Sequence, residues 1–228
     1  MQAVSAGNSS RVGVDRAAVE RAARDGGAAL FGVAAVPSGV PAPCGDYPFA
    51  AVAAMPLSRG VLATCVNGPT RLYAYHYRVV NAALDNIACR MVALLEDGGY
   101  RTLAVPASQF VDWERMLGAV SHVRLARLAG LGYVGRNNLL VTPRFGAAVR
   151  LVSVFTDAPL EPDAPATGEC GSCRACMKVC PAGAIGETAA DWDRERCVEK
   201  IKVFKKTITN QGICGVCVRV CAGPRGGV

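Results

Sequence analysis

Aromatic residues and histidines are scarce in this chain, and it contains no long uninterrupted apolar run. Phe, Trp and Tyr make up 6% of the 228 residues, and there are two histidines. The longest charge-free stretch, residues 26–45, is broken by three prolines, which makes it a poor membrane span. No basic region followed by an apolar run opens the chain. We therefore expect no membrane span, no cleaved secretory signal and a cytoplasmic protein.

Cysteine is the residue in excess, with 11 in the chain, against 51% hydrophobic and 19% charged residues that suit a folded core. Thiols stay reduced in the cytoplasm, so this number of cysteines indicates metal ligands rather than disulfides. The formal net charge is +7, but two oxidised four-iron clusters of about −2 each would lower it to roughly +3. The charge therefore gives little support for nucleic-acid binding.

Apolar periodicity predicts mixed helices and strands over most of the chain. Asp15 can cap a helix that runs to Arg24, and Pro69 can open a long helix that stops at Gly98. A further helix is predicted over 121–128, and strands over 30–36, 49–55, 101–105, 139–142 and 147–156, the last two joined across 143–146. Residues 1–10 are predicted to be a disordered lead-in. The predicted fold class up to about Asp157 is α/β (α+β).

A proline-rich segment, residues 158–168, separates this part from a cysteine-rich one. Eight of the eleven cysteines fall between Cys170 and Cys221. This change in composition predicts two domains, an α/β domain over residues 1–158 and a metal-binding domain over residues 159–228.

The spacing of these eight cysteines is that of a two-cluster ferredoxin. Cys170-x2-Cys173-x2-Cys176-x3-Cys180-Pro181 follows the bacterial run in which the fourth cysteine binds the other cluster. The tail repeats the end of that run, while Cys197 lies well upstream of it. The same crossing predicts two [4Fe-4S] clusters, one held by Cys170, Cys173, Cys176 and Cys221, the other by Cys180, Cys197, Cys214 and Cys217.

Structural zinc is the alternative metal for these cysteines, because zinc also favours paired cysteine ligands. The run of three cysteines followed by Cys-Pro, with no histidine nearby, favours clusters. Cys44, Cys65 and Cys89 are left over, and we interpret them as buried small hydrophobic residues. Cys44, in a loop rich in Pro and Gly, is the one to test for reactivity.

A glycine-rich segment upstream is the candidate wall of a cofactor or substrate pocket. Its binding candidates are Gly130, Gly132, Tyr133, Gly135, Arg136 and Asn137. The glycines permit close approach of a ligand to the backbone, and Arg136 and Asn137 offer hydrogen-bond donors. A plain tight turn is the competing interpretation, and the segment is not a dinucleotide fingerprint because it precedes a strand.

Three other features have both a functional and a structural interpretation. His122 is either a proton donor or lower metal ligand, or a packed histidine. The aromatic group Tyr73, Tyr75, His76 and Tyr77 either lines a flat macrocycle or fills the core. The basic stretch Lys200, Lys202, Lys205 and Lys206 either is a solvated face or docks an acidic electron donor such as flavodoxin.

Residues 129–146, the segment 155–160 and the double cysteine run that follows resemble the epoxyqueuosine reductase family. The resemblance covers most of the chain from Tyr73 to Cys221. It implies a nitroreductase-like α/β domain followed by a two-cluster ferredoxin-like domain, and a relation to reductive dehalogenases. It also implies a cobalamin above the proximal cluster.

The chain departs from this family in three places. The family's Asp-Ser-x-Pro-x-x-Glu context of the catalytic aspartate is replaced by residues 106–114, so Asp112 is a weak catalytic candidate beside His122 and Tyr133. The chain has seven residues after Cys221, without the helical-repeat region that helps the family bind tRNA, and it lacks the twin-arginine signal of many of the related reductive dehalogenases. We expect a short relative whose substrate need not be queuosine.

The first functional hypothesis is an oxidoreductase. It would pass electrons from a low-potential donor, such as ferredoxin or flavodoxin, through two clusters to a corrinoid or small substrate. The first alternative is a non-catalytic electron carrier or subunit with no organic cofactor. The second is an RNA-binding protein with structural clusters, whose affinity for RNA would depend on salt.

Overall fold

A four-stranded antiparallel sheet with helices on both faces forms the larger part of the protein. The computed structural model describes residues 11, 13–112 and 114–223. The lead-in predicted for residues 1–10 lies outside the described residues. In chain order the elements are α1 (Arg16–Asp25), β1 (Leu30–Ala35), β2 (Phe49–Pro56), α2 (Arg59–Ala63), α3 (Arg71–Asp97), β3 (Thr102–Val105), α4 (His122–Leu128), β4 (Tyr133–Val134), β5 (Leu140–Val141), β6 (Val149–Thr156), α5 (Ala175–Val179), α6 (Arg194–Phe204), a π-helical turn (Lys205–Thr209) and α7 (Val216–Val220).

The sheet has the strand order β1-β2-β6-β3 and is buried on both faces. The alternation of side chains along β2 divides the core in two. Ala51 and Ala53 pack in the cluster that contains α1 and α3, whereas Ala50, Val52 and Ala54 pack in the cluster that contains α4. These small side chains let the helices lie close to the sheet on either side. The predicted α/β (α+β) class is confirmed.

The helices predicted from Asp15 to Arg24 and over residues 121–128 form as α1 and α4, and side-chain caps fix where they begin. Asp15 accepts a hydrogen bond from the Ala18 amide, and Ser121 accepts one from the Arg124 amide. The predicted start of the long helix at Pro69 is wrong. The helix begins at Arg71, because the hydroxyl of Thr70 accepts from the Tyr73 amide and caps the first turn. Within the described part of the chain, no helix combines the length and hydropathy needed to cross a bilayer.

The glycine segment and the strand after it form a small unit outside the main sheet. The strand predicted over 139–142 shortens to β5, and it pairs with β4, a strand that the sequence did not predict. The predicted connection across 143–146 is a tight turn, closed by a bridge from Thr142 to Gly146, and the strands on its two sides belong to different sheets: β5 pairs with β4, and β6 pairs with β2 and β3. Two residues per strand carry too little period-2 pattern to be recognised.

The cysteine-rich segment packs directly against the α/β layers. Ile213 and Val218 belong to the same buried cluster as α1 and α3, and α7 packs against α2. The segment 158–168 lies against the fold as well, with Ala158 and Leu160 fully buried. The division into residues 1–158 and 159–228 stays a prediction.

Asp163 links the segment 158–168 to α1 and β1 through hydrogen bonds. Its carboxylate accepts two hydrogen bonds from Arg16, at 2.8 and 2.7 Å, and one from the Val33 amide at 2.8 Å. We expect Asp163→Ala to lower the free energy of unfolding by about 2 kcal/mol, because the β1 amide and the Arg16 guanidinium lose their acceptor. Urea unfolding measures the change. Glu161→Ala, at an exposed position in the same segment, is the control and should change stability by no more than about 0.5 kcal/mol.

Candidate functional site

Four cysteines, Cys170, Cys173, Cys176 and Cys221, come together beside the glycine segment and are called the first thiol group. The pKa of the Cys176 thiol is raised, first by burial and then by the other three thiols, which are close enough for their charge to act on it. Cys176 is buried, Cys170 and Cys221 are half-buried, and Cys173 is exposed. The group therefore reaches the protein surface at Cys173.

The other four, Cys180, Cys197, Cys214 and Cys217, form the second thiol group. The pKa of Cys197 is raised to about 11, first by burial and then by the nearby Cys214 and Cys180 thiols. Burial also raises the pKa of Cys217, with Cys214, Cys197 and Cys180 as the next causes. The Ala184 amide donates to the Cys180 sulfur at 3.4 Å. Without a bound cation the Cys197, Cys214 and Cys217 thiols stay protonated at neutral pH, and a metal would displace their protons.

Two short helices distribute the cysteines between the groups. α5 carries Cys176 to the first group and ends at Cys180, which belongs to the second. α7 carries Cys217 to the second group and ends at Cys221, which belongs to the first. The two helices pack against each other, and the Cys217 thiol lies within electrostatic range of Cys176. The groups are therefore neighbours in space.

The spacing within each thiol group bears on the choice between zinc and clusters. No three His, Cys, Asp or Glu side chains among the described residues converge closely enough to hold a single metal ion. A tetrahedral zinc site brings its four sulfurs to within about 3.8 Å of one another, given zinc–sulfur bonds of about 2.3 Å. A cube of four irons and four sulfides is larger, so its four thiolates lie farther apart. The metal content of the protein decides between the two.

The three remaining cysteines differ in burial. Cys44 and Cys65 are 3% and 0% exposed, as predicted for small hydrophobic residues, and burial raises the pKa of both thiols. This disfavours a reactive Cys44. The prediction that Cys89 is buried is wrong, since it is exposed on α3. The buried face of that helix carries Leu84, Ala88, Met91 and Leu95, and Cys89 lies off it. Cys65 lies within electrostatic range of Cys214.

A cavity of about 440 Å³, cavity A, adjoins the second thiol group, and all four of its cysteines line it. The opposite wall comes from the α/β layers and includes Tyr73, Tyr77, His122 and Arg150. Gly215 brings the two sides together: a Cβ atom there would lie 2.7 Å from the Tyr73 ring. The second thiol group thus faces a ligand-sized space, and the first does not line it.

Arg150 is a residue of this wall that the sequence analysis missed. It lies on β6, where its guanidinium donates to Asn81 Oδ1 at 3.0 Å and to the Ala107 carbonyl at 2.7 Å. It also stacks 4.3 Å from the centre of the Tyr77 ring. None of the ion pairs in the described ranges involves Arg150. The sequence did contain a signal for Arg150: it is the single arginine in a largely apolar strand. Burying a charge there costs free energy unless the side chain has specific partners.

Only part of the predicted aromatic group lines cavity A. Tyr73 and Tyr77 do, one helical turn apart on α3, with their rings 6.1 Å apart and edge to face. Burial raises the pKa of the Tyr73 hydroxyl, so it stays protonated. Tyr75 is 61% exposed, and His76 accepts from the Ser58 amide through Nε2 at 2.9 Å.

His122 lines cavity A, but its ring is held by protein groups. Nε2 lies 3.0 Å from the Pro106 carbonyl, which can only accept, so Nε2 carries the hydrogen. Nδ1 then accepts from the Ser153 hydroxyl at 2.9 Å. Burial lowers the pKa of the imidazole to about 4. The neutral ring therefore has no spare lone pair for a metal and no spare hydrogen for a substrate.

The predicted glycines lie against the protein itself. A Cβ atom on Gly130 would come within 3.1 Å of the Ala164 carbonyl, and one on Gly132 would collide with the Val141 carbonyl. A Cβ atom on Gly135 would lie 2.6 Å from the Val141 side chain and 3.5 Å from the Cys170 sulfur. Gly130 also has a φ of +74°, which favours glycine. This part of the segment therefore supports the first thiol group.

Arg136 and Asn137 end the segment in different surroundings. Arg136 donates to the carbonyls of Cys173 at 3.1 Å and Gly171 at 2.9 Å, so it holds the first cysteine loop. Asn137 lines cavity A and is 5% exposed. Its Oδ1 accepts from the Leu139 amide at 3.4 Å, whereas its buried Nδ2 has no partner among the described residues. This unpaired donor is available to a ligand.

The other two catalytic candidates do not line cavity A. Tyr133 hydrogen-bonds to the Cys170 thiol, and burial followed by that thiol raises its pKa. Asp112 lies in the loop 106–120, where its Oδ1 accepts from the Arg115 amide at 2.8 Å and closes a local turn. Tyr133 therefore belongs to the first thiol group, and Asp112 to its own loop.

A second cavity of about 780 Å³, cavity B, adjoins cavity A. The two share a wall that includes Tyr77, Phe110, Met116 and Ile213. The basic stretch borders both spaces: Lys200 lines cavity A, and Lys202, Lys205 and Lys206 line cavity B. The two volumes together exceed the range of about 300–1,000 Å³ that is usual for small-molecule sites.

Comparison with known proteins identifies relatives of this chain. No protein-family model matches it. It is 47% identical over 68 residues to the epoxyqueuosine reductase of Listeria monocytogenes, a match that covers 30% of this chain and 18% of the relative. It is 35% identical over 125 residues to the tetrachloroethene reductive dehalogenase of Sulfurospirillum multivorans, which covers 49% of this chain and 25% of the relative. The predicted resemblance is confirmed.

The fold is that of the same group of reductases. A solved reductive dehalogenase, described for B12-dependent dehalogenation, superposes with a TM-score of 0.75 at 21% identity over 94% of this chain and 33% of the other. The relatives are oxidoreductases by name. The chain spans less than half the length of the curated relatives described above.

The buried His122 ring predicts a pH dependence of stability. Its pKa is lowered to about 4 in the folded protein and is about 6.5 in the unfolded chain. Between these values the unfolded chain binds more protons, so acidification destabilises the folded state. We expect the wild type to lose roughly 2–3 kcal/mol more than His122→Gln between pH 7 and pH 4.

Urea unfolding at each pH measures this difference. The cysteines are identical in the two proteins, so any acid sensitivity of a bound metal cancels in the comparison. Parallel stability curves for the two proteins would contradict the assignment of His122 as a buried neutral ring.

Proposed function

We propose that this protein is an iron–sulfur oxidoreductase that passes electrons through two [4Fe-4S] clusters to a corrinoid and a small substrate in cavities A and B. The observation that carries the proposal is the serial arrangement from exposed Cys173, through the adjacent Cys176 and Cys217, to cavity A. We also propose that it acts in the cytoplasm, where its thiols stay reduced.

The two thiol groups fit clusters in number, position and electrostatics. Each offers four sulfurs, and the NH group of Ala184 supports a negative sulfur at Cys180. The Arg136 guanidinium, 11% exposed, is anchored on the loop that carries Cys173 and favours negative charge in the first group. When bound, the clusters supply one-electron transfer. The chain holds them at neighbouring positions and covers the inner one.

We infer that electrons enter at the first thiol group. Cys173 is exposed, whereas the four cysteines of the second group are half-buried and line cavity A. Lys178 lies on the exposed surface beside Cys176, and Arg174, beside Cys173, is paired with Glu187 at 2.8 Å. A low-potential donor with an acidic face, such as a ferredoxin or flavodoxin, suits this surface.

Cavities A and B suit a large ligand with hydrogen-bond acceptors. The buried Asn137 Nδ2, which has no partner in the described part of the chain, can donate to a carboxamide oxygen of the kind that surrounds a corrin ring. A corrinoid, when bound, supplies a reducible cobalt centre. The residues that would hold it are Asn137, Tyr73 and Tyr77, on the wall opposite the second thiol group.

Arg150 is the residue we propose for stabilising the reduced substrate. It places a positive charge at the wall of cavity A and is fixed by Asn81 and Ala107, neither of which neutralises it. Addition of electrons to a substrate builds negative charge, which a preorganised cation stabilises without reorganisation. The Tyr77 ring beneath the guanidinium keeps water from one of its faces.

Cysteine replacement tests the cluster assignment. Cys173→Ala and Cys214→Ala should each lose about half of the iron and acid-labile sulfide, because each removes one ligand of one four-iron cluster. The double variant Cys173→Ala/Cys221→Ala should retain that half, since both residues belong to the first thiol group. Cys173→Ala/Cys214→Ala should lose nearly all of it. The measurement is iron and sulfide per chain after anaerobic purification.

Cys89→Ala is the control, because Cys89 is exposed on α3 and outside both groups. Zinc in place of iron and sulfide would remove the redox proposal. Loss of both clusters from Cys173→Ala/Cys221→Ala would contradict the pairing.

Anaerobic reconstitution with cobalamin tests the corrinoid. Protein with full iron content should retain about one corrinoid per chain, with visible absorbance and a paramagnetic signal that change on reduction. Asn137→Ala should weaken its equilibrium binding about five- to tenfold through loss of one hydrogen bond. Asn86→Ala, exposed on α3, should leave it unchanged. Reversible cluster reduction with no corrinoid retained would instead support the non-catalytic electron carrier.

A further inference from the structure

We infer that cavity B is a binding site for a phosphate group. Four basic residues line it, Arg78, Lys202, Lys205 and Lys206, and Asp85 is the one carboxylate among its described lining residues. The inference extends the proposed function, because the phosphate would belong to a molecule that reaches into cavity A. It does not require that the clusters or a corrinoid be present.

The three lysines point to an anion because of where α6 and its π-helical turn put them. Lys202, Lys205 and Lys206 are spaced at i, i+3 and i+4, so they share one side of a continuous helical segment. Like charges in this arrangement repel one another. An anion bound in cavity B would reduce this repulsion, because it would lie beside all three lysines.

Three of the cations have no ion-pair partner among the residues that the structure describes. Arg78 stacks 4.6 Å from the Tyr75 ring. None of the ion pairs within the described ranges involves Arg78, Lys202 or Lys206. Asp85 already accepts a hydrogen bond from the Ala107 amide at 2.8 Å on the opposite wall. The cavity therefore keeps an excess of positive charge.

The chemistry of these cations favours phosphate over a single carboxylate. Lysine ammonium groups are compact, strongly hydrated point charges, and several of them suit an anion that carries more than one charge. A phosphate monoester carries about −1.5 to −2 at neutral pH and has three strong acceptor oxygens. Asn81, Ser108 and Gln211 add neutral hydrogen-bonding groups to the same cavity.

The wall shared by the two cavities makes a single ligand possible. Tyr77, Phe110, Met116 and Ile213 border both spaces, so a molecule with an apolar middle can have its reactive end in cavity A and its phosphate in cavity B. Two sources offer phosphate oxygens: the phosphodiester of a corrinoid's nucleotide tail, which carries a single negative charge, and a phosphate monoester on the substrate, which carries the higher charge.

Titration of pyrophosphate into the anaerobically purified full chain tests the site by calorimetry. We expect wild-type binding, and a loss of at least about tenfold in affinity for Lys202→Gln/Lys206→Gln, because two charge-assisted contacts are removed. Arg21→Gln removes a charge from the exposed face of α1, far from the lining of cavity B, and should bind as the wild type does. A wild type that binds no pyrophosphate overturns the inference, and so does an equal loss in both variants.

Cobalamin and cobinamide, which lacks the nucleotide tail, distinguish the two sources. If the lysines hold the tail, Lys202→Gln/Lys206→Gln weakens the binding of cobalamin and leaves that of cobinamide unchanged. If they hold a substrate phosphate, both corrinoids bind the variant as they bind the wild type, while pyrophosphate does not.

Absence of all corrinoid binding would defeat the corrinoid proposal and leave the pyrophosphate result standing. An RNA hairpin that displaces pyrophosphate and binds Arg21→Gln more weakly would assign the lysines to an open basic surface and overturn the inference.

Discussion

The packing of α5 against α7 is the constraint on which the site depends. Each helix is five residues long and has one cysteine in its first two positions and another just beyond its end. Cys180 and Cys221 each lie just past the last helical residue with an extended backbone, so each leaves the path of the helix that carries Cys176 or Cys217. Because α5 packs against α7, the cysteine at the end of each helix lies with the cysteine inside the other helix. The eight thiols therefore form two neighbouring groups. A shift of either helix would disturb both groups at once.

The cysteine spacing predicted the same two sets of four as cluster ligands; the structure places the thiols of each set near one another, and their role as ligands stays a prediction. The main elements were also predictable, since their caps and apolar stripes are local: Asp15 and Ser121 begin helices, and Gly98 ends one. Errors arose where local signals were short or ambiguous. Thr70 and Pro69 both can start a helix, and the hydroxyl of Thr70 decided the matter by capping the Tyr73 amide. β4 and β5 are too short for any period to be seen.

The cavities were the part that sequence reasoning did not predict. Glycines suggest close approach, but the sequence does not say to what; here Gly130, Gly132 and Gly135 approach other parts of the chain. The one segment member that reaches cavity A is Asn137, whose unpaired amide depends on tertiary packing. Arg150 and Tyr77 are 73 positions apart in the chain and meet only because β6 lies under α3. Such pairs leave no trace in spacing.

Gly215 connects the cysteine-rich segment to cavity A. Its backbone lies against the Tyr73 ring, and the helix that follows it supplies cysteines to both groups. If the chain binds iron and sulfide as proposed, the inorganic clusters would be bonded to that helix, which also forms one side of cavity A. Loss of either cluster would then loosen one wall of the ligand space.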